Sequence, residues 1–277
     1  MAAVQHVRDA ADFVRLFDVS RETVGRLEVY AALLEKWQKT INLVAPSTVG
    51  DVWHRHFADS AQVVGVVRPR LSVVAESNRG SQLMGSGSPP LPNAPPHDTG
   101  SSGGRESPSS LATAPSISPL PAEGGAGELR HWLDLGSGGG FPGLVVAILL
   151  AERGGWRVTL VESDQRKCAF LREVVRETGL RAAMAVDIVA ERIESAANHS
   201  KVGVVDVVSA RALAALPQLL RWAGPFFGPQ TVGVFLKGRD AGREVEAARG
   251  LGGWAFELVA SLTDAEARVV RVRRVAG

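Results

Sequence analysis

The stretch LDLGSGGGFPG, Leu133 to Gly143, constrains this chain more than any other part of it. An apolar run, HWLDL, enters the glycines, and a longer one, PGLVVAILLA, leaves them. A strand that feeds a glycine turn opening a helix is the entry to a parallel α/β sheet. Glycine there permits a tight turn and close approach of the backbone to a ligand. The spacing Gly136-x-Gly138-x-Gly140 serves either a dinucleotide or S-adenosylmethionine. Glu162 ends the next apolar run, RVTLVE, where a carboxylate can accept hydrogen bonds from both hydroxyls of a ribose. Asp134, just before the first glycine, suits a ligand with a cationic end, such as a methionine amino group, better than a pyrophosphate. Pro142 suits the first turn of a helix, where its missing N–H costs nothing. These residues favour S-adenosylmethionine and leave the dinucleotide open.

From residue 128 onward, apolar runs of strand length alternate with helical patterns. Strands are expected at His131–Leu135, Arg157–Glu162, Ala182–Asp187, Val202–Ser209, Thr231–Lys237, Ala255–Ser261 and Ala267–Arg274. Helices are expected at Pro142–Glu152, Gln165–Glu177, Ile188–Ala197, Ala214–Trp222 and Asp240–Gly250. This βαβ rhythm predicts a doubly wound, mostly parallel sheet with helices on both faces. The last two strands have no helix between them and are expected to form a hairpin at one edge. Residues 1–76 read as a helical N-terminal extension. In it, Val24, Leu27, Leu34, Trp37 and Ile41 make one apolar stripe, Ser20 is the N-cap, and Pro46 closes the helix. A second helix is expected from Val49 to Val67.

Between these regions, residues 77–127 hold 9 Gly, 9 Pro and 11 Ser, a composition that cannot bury enough apolar surface to offset its ordering entropy. They read as a disordered insertion. Bulk properties exclude several other classes. The single cysteine, Cys168, leaves no disulfide framework and no cysteine-based zinc site within one chain, and no metal is expected. Cys168 lies mid-helix in RKCAFL, where a packed thiol is expected rather than a nucleophile. The opening MAAVQHVRDAADFVRLF lacks a basic segment leading into an apolar core, so no secretory leader is expected, and the longest apolar run near the turn is too short to span a bilayer. A cytoplasmic protein without membrane contact is the expectation. The net charge of +2 with a pI near 9 points weakly to an anionic partner, so local placement of charge decides more.

Several positions stand out on that ground. Arg166 and Lys167 begin the helix after the second strand, an unfavourable place for cations unless they meet phosphate; an ordinary solvated face is the alternative. Lys237, in FLKG at a strand end, reads the same way. Arg211 follows the strand VVDVVS at the sheet's carboxyl edge, where ligands bind. It suits the methionine carboxylate, the target base or an RNA phosphate, unless a salt bridge to Asp206 or Glu194 occupies it. His56 is placed either to touch RNA or to pair with Asp59 three residues on. Arg271 and Arg273 share one strand face, as an RNA-facing stripe or as a charged edge that blocks aggregation.

Six stretches, LLEKWQKTINLVAP, HRHFADSAQ, WLDLGSGGGFPGLVVAI, LVESDQRKCAFLREV, VVSARALAAL and FLKG, occur in this order. Together they resemble the RsmG (GidB) family, the bacterial 16S ribosomal RNA guanine-N7 methyltransferases, across nearly all of the chain outside the insertion. The chain departs from the family's pattern at Gln38 and Val44. The resemblance implies a class I S-adenosylmethionine-dependent methyltransferase: a Rossmann-like, seven-stranded, mostly parallel sheet behind a short helical N-terminal part. It implies cofactor contacts from Gly136, Ser137, Gly138 and Phe141 in the turn, from Ile193 and Glu194 beside the adenine, and from Arg211, with Glu162 on the ribose. Arg211 is also the expected positioning group for catalysis, and Arg166, Lys167, Lys237 and His56 are the expected RNA contacts. The implied partner is 16S ribosomal RNA, in the small subunit or an assembly intermediate, and the protein is expected to act as a monomer. Methylating guanine N7 needs no general base, which fits the lack of an obvious acid–base pair. A class I methyltransferase with another RNA or a small molecule as substrate, a non-catalytic nucleotide-binding regulator, and a dehydrogenase are the alternatives.

Overall fold

Seven strands run in the order β3-β2-β1-β4-β5-β7-β6, and that order fixes where a ligand can sit. The computed structural model describes residues 4–67, 130–195 and 202–275; the Pro/Gly/Ser-rich segment 77–127 lies outside them. The strands are β1 Arg130–Leu135, β2 Trp156–Val161, β3 Ala185–Val189, β4 Val205–Arg211, β5 Phe227–Lys237, β6 Trp254–Ala260 and β7 Arg268–Arg274. The first five are mutually parallel, and β7 is antiparallel to both β5 and β6. This is the expected seven-stranded, mostly parallel sheet, with the expected hairpin at one edge. The strand order reverses between β1 and β4, so a crevice opens at their carboxyl ends.

Helices cover both faces. On one lie α4 (Gly143–Ala151) and α5 (Gln165–Glu177), with the N-terminal helices α1 (Ala10–Phe17), α2 (Arg21–Gln38) and α3 (Asp59–Val66) packed around them. On the other lie α7 (Leu216–Ala223) and α8 (Ala241–Arg249); a single helical turn, α6 (Leu180–Ala183), precedes β3. All nine residues of α4 are buried, as a helix that is apolar all round requires. The apolar stripe of α2 packs Leu27 and Leu34 fully inward, and Ser20 caps the helix by accepting the Thr23 N–H at 3.0 Å.

The chain departs from the sequence expectations at defined places. Of the expected helix Ile188–Ala197, the described residues form none: 188 and 189 close β3 and 190–195 run through a bend and a turn, while 196 and 197 lie outside the described residues. The strand expected at Ala182–Asp187 begins at Ala185, because residues 180–183 take the helical turn first. The single helix expected from Val49 to Val67 is three pieces: a 3-10 segment Pro46–Asp51, a π-helical turn Trp53–Ala58, and α3. The helix begun at Ser20 stops at Gln38, whose side chain bonds the backbone of Leu43 and Val44 and so ties off the turn. Among the described residues, no helix is long and apolar enough to cross a membrane.

Candidate active site

The turn between β1 and α4 is built from below by a chain of buried hydrogen bonds. Trp132 Nε1 donates to Ser209 Oγ at 2.9 Å, and Ser209 Oγ donates to Asp134 Oδ1 at 2.7 Å. Asp134 Oδ2 accepts the Gly143 N–H at 3.2 Å. The carboxyl of Asp134 is fully buried, and this desolvation pushes its pKa up to about 6. Asp134 therefore fastens β1, β4 and α4 beneath the turn and does not line the cavity there, so it does not meet a ligand's cationic end as expected from its place before the glycines. Gly143 has no room for a side chain: a Cβ there would lie 2.6 Å from Asp134 Oδ2 and overlap Leu160.

Above this floor the glycines turn. Gly136, Gly138 and Gly140 all have positive φ, at 66°, 57° and 94°, a region open to glycine and costly to other residues. Aromatic rings hold the turn from the N-terminal side. Tyr30 stacks on Phe141 at 5.4 Å and donates its hydroxyl to the Gly139 carbonyl. His56 stacks on the same ring at 4.8 Å. The π-helical turn buries Phe57 against this cluster as well, 5.3 Å from Tyr30 and 6.1 Å from Phe141, while His54 packs on His6 and accepts the Val7 N–H.

Glu162 sits at the tip of β2, 8% exposed. Its Oε2 accepts the Gly138 N–H and its Oε1 the Asp164 N–H, both at 2.8 Å. Each carboxylate oxygen has two lone-pair directions, so each keeps one free for a ligand. Cys168, buried in α5, donates its thiol to the Glu162 carbonyl at 3.2 Å. It is packed, as expected.

One cavity of about 920 Å³ opens at this turn and brings the predicted residues together. Gly136, Ser137, Gly138, Phe141, Glu162, Ile193, Glu194 and Arg211 all line it, and so do Lys167 and His56. The segment 42–46 with Thr48 and Arg55 lines it too, with Leu43 close against Gly139; spacing and residue type alone assign these residues no such role. Arg166 and Lys237 are not on this cavity. Arg166 is 73% exposed and lies 3.6 Å from Asp164. Asp164 caps α5 by accepting the Arg166 and Lys167 N–H groups, which holds its own carboxyl below the usual carboxylate range. That cap offsets the cations at the helix start. Lys237 lines a neighbouring cavity, with its ammonium 2.8 Å from Glu244 and donating to the Ala214 carbonyl.

His56 also differs from its sequence reading. It is 5% exposed and pairs with Thr48 Oγ1 at 2.8 Å, while Asp59 bonds Gln62 and Thr263 instead. Burial, with Arg211 and Arg55 nearby, lowers the imidazole to a pKa of about 3. A neutral, buried ring presents no charge to phosphate. Arg211 is anchored to neither Asp206 nor Glu194. Its Nε lies 3.3 Å from Asp59 Oδ2, its Nη2 donates to the Arg55 carbonyl at 2.8 Å, and its guanidinium lies 5.9 Å from the centroid of the Phe141 ring. Ala212 follows in the left-handed region at φ 50°, which sends Leu213 over Gly136, where a Cβ would meet Leu213 Cδ1 at 2.5 Å. On β7, Arg271 pairs with Glu257 across the hairpin at 3.0 Å.

Comparison with known proteins bears on this site. A family model described as rRNA small subunit methyltransferase G matches residues 23–76 and 116–254. The chain is 41% identical over 273 residues to the ribosomal RNA small subunit methyltransferase G of Parvibaculum lavamentivorans, covering 98% of this chain and 92% of that one. The protein of the same name from Rhizobium rhizogenes is 42% identical over 243 residues, covering 87% and 86%. That from Methylorubrum populi is 38% identical over 255 residues, covering 92% and 90%.

Proposed function

The chain belongs to the rRNA small subunit methyltransferase G family, and from that membership and the cavity at the glycine turn we propose that it transfers a methyl group from S-adenosylmethionine to N7 of a guanine in 16S ribosomal RNA. The sheet order is the class I methyltransferase arrangement. The observation that carries the reading is Glu162 at the tip of β2 beside three positive-φ glycines, in one cavity with Ile193, Glu194 and Arg211.

The donor set fits this cofactor. Glu162 keeps two free lone-pair directions for a ribose diol, Ile193 and Phe141 offer apolar surface, and Arg211 lines the cavity beside them. Bound S-adenosylmethionine supplies a methyl group on a sulfonium, open to displacement in line with the C–S bond. Guanine N7 carries a lone pair and no proton, so the chain's residues need only bind, orient and exclude water. The site is consistent with that: His56 is neutral and bonded to Thr48, and the Tyr30–Phe141–His56 stack stiffens the turn rather than moving a proton. The dehydrogenase and regulator readings lose their support to the family membership.

Within the same reading, Lys167 stands beside the cavity as a phosphate contact, with Arg166 on the exposed face next to it. The protein acts on the small subunit or an assembly intermediate, as a monomer, in the cytoplasm. Residues 1–76, 77–127 and 128–277 serve as helical extension, insertion and methyltransferase domain. The test is label transfer from S-adenosylmethionine to small subunits taken from cells lacking the enzyme, followed by borohydride and aniline cleavage. Label in 16S RNA with one new cleavage site is the expected result. No label in the RNA, with S-adenosylhomocysteine still bound, would leave the fold and refute the substrate.

A further inference from the structure

A second cavity of about 520 Å³ lies at the carboxyl ends of β4 and β5 and the start of β7. It shares Arg55, Arg211, Ala212 and Leu213 with the first cavity, so the two meet along one wall. Its size suits a nucleoside. Asp59 lines the second cavity only, whereas Arg211 lines both. The order along the wall is therefore first cavity, Arg211, Asp59.

Guanine carries its functional groups in a matching order. Along one contiguous edge stand N7, the O6 acceptor, the N1–H donor and the N2 amino donor. If N7 faces the first cavity, O6 falls at the shared wall and N1–H falls beyond it. Arg211 keeps a donor for O6: Nη2 carries two hydrogens, of which the Arg55 carbonyl takes one, while Nε faces Asp59 and Nη1 is buried. Asp59 keeps an acceptor for N1–H. Its Oδ1 is taken by Gln62 Nε2 at 2.9 Å and Thr263 Oγ1 at 2.8 Å, but Oδ2 has only Arg211 Nε at 3.3 Å. Adenine presents an amino donor and a bare nitrogen at those two places, and mismatches both.

We propose that the second cavity holds the acceptor nucleoside, and that the Arg211–Asp59 pair selects guanine, Arg211 donating to O6 and Asp59 accepting from N1–H. This rests on the proposed methyl transfer and adds the acceptor's site and the groups that read it. In the transfer, the N7 lone pair forms the N–C bond as the C–S bond breaks; the positive charge passes from sulfur to the base, and no proton moves. A carboxylate at N1–H stabilises that incoming charge, so Asp59 acts on the rate as well as on base choice. The pair joins α3 to the end of β4, which gives the N-terminal helices a share in the acceptor site.

The test is Asp59→Asn, which retains an Oδ1 acceptor for Gln62 and Thr263, with Asp59→Glu as the variant that keeps the carboxylate. The rate of label transfer to small-subunit rRNA, the S-adenosylhomocysteine dissociation constant and the melting temperature are measured for each. For Asp59→Asn we expect kcat/KM to fall on the order of 10- to 100-fold, as when one base-edge hydrogen bond is removed. The fall is expected mainly in kcat, because subunit affinity is dominated by phosphate contacts. S-adenosylhomocysteine affinity stays unchanged, and Asp59→Glu recovers part of the rate. An unaltered kcat/KM overturns the proposal. So does a loss of S-adenosylhomocysteine affinity or of melting temperature in step with activity, which makes Asp59 a prop for the fold. A wild-type protein that leaves rRNA unlabelled strikes down the proposed function, and this inference with it; an active wild type with an indifferent variant strikes down the inference alone.

Discussion

Replacing Glu162 separates two duties that its carboxylate performs at once. It holds the backbone N–H groups of Gly138 and Asp164 at 2.8 Å each, and in the proposed complex it also accepts the two ribose hydroxyls. Hydrogen bonds to a charged group contribute about 1.5–3 kcal/mol each, against about 1 kcal/mol for neutral ones. Glu162→Gln keeps one carbonyl oxygen and places an amide donor where the other stood. The variant still caps one backbone N–H, so the free protein loses about 1 kcal/mol, a fall of about 2–4 °C in melting temperature for a chain of this size. The ligand loses the charge assistance on both hydroxyls and one acceptor outright, about 2–3 kcal/mol, or a 30- to 150-fold weaker dissociation constant. Glu162→Ala adds a second orphaned N–H and lowers stability further, with a similar loss of affinity. Calorimetry with S-adenosylhomocysteine and a thermal melt of the same samples read the two duties apart. If Glu162→Gln melts lower yet binds S-adenosylhomocysteine within about twofold of wild type, the carboxylate is only the cap of the turn and the ribose assignment is wrong.

The other predictions draw on separate features. Burial pulls the His131 imidazole down to about 4, with Arg157 adding to the shift, so the folded state binds fewer protons than the unfolded chain, whose value is near 6.5. Stability present above pH 6.5 is therefore lost as pH falls toward 4, by up to about 3 kcal/mol; denaturant melts at pH 5 and pH 7 show it, and His131→Gln flattens it. Asp134 has the opposite sign, since burial raises it to about 6 and the folded state holds its proton longer. Its ionisation costs stability as pH rises from about 4 to 6, so Asp134→Asn gains on wild type across that window by about 2–3 kcal/mol; a constant difference between the two proteins refutes this. Gly143→Ala forces a methyl against Asp134 and Leu160 and lowers stability by about 1–3 kcal/mol, read as a drop in melting temperature. Changing Arg166 and Lys167 together to Ala lowers the slope of log affinity against log salt by about 1 for each phosphate that is no longer neutralised; an unaltered slope leaves them as a solvated face.

What the sequence discloses about this protein, and what it hides, divides along separation in the chain. The glycine turn, the carboxylate at the next strand tip and the Ser20 cap are local: each depends on residues within one strand–turn–helix unit or one helical turn, so spacing and residue type reveal them. The misread pieces are local conflicts that packing resolved. Ile188 and Val189 continue an apolar pattern that reads equally as helix, yet they pair with Leu160 and Val161 in the sheet. That pairing carries the chain on into the turns that bring Ile193 and Glu194 to the cavity. The Asp59–Arg211 pair joins residues far apart in the chain, as does the Thr263 bond that holds Asp59. No periodicity marks a partner at that separation, and Arg211 passes over the carboxylates nearer to it in the chain, Asp206 and Glu194, for Asp59. The surface proposed to hold a ribose, the glycine turn and Glu162, is thus drawn from one strand–turn–helix unit and the next strand tip. The surface that would tell one acceptor base from another is assembled from α3, the end of β4 and the loop before β7. Substitutions at Asp59 or Thr263 are accordingly expected to change acceptor choice while leaving S-adenosylhomocysteine affinity alone, the reverse of substitutions in the turn.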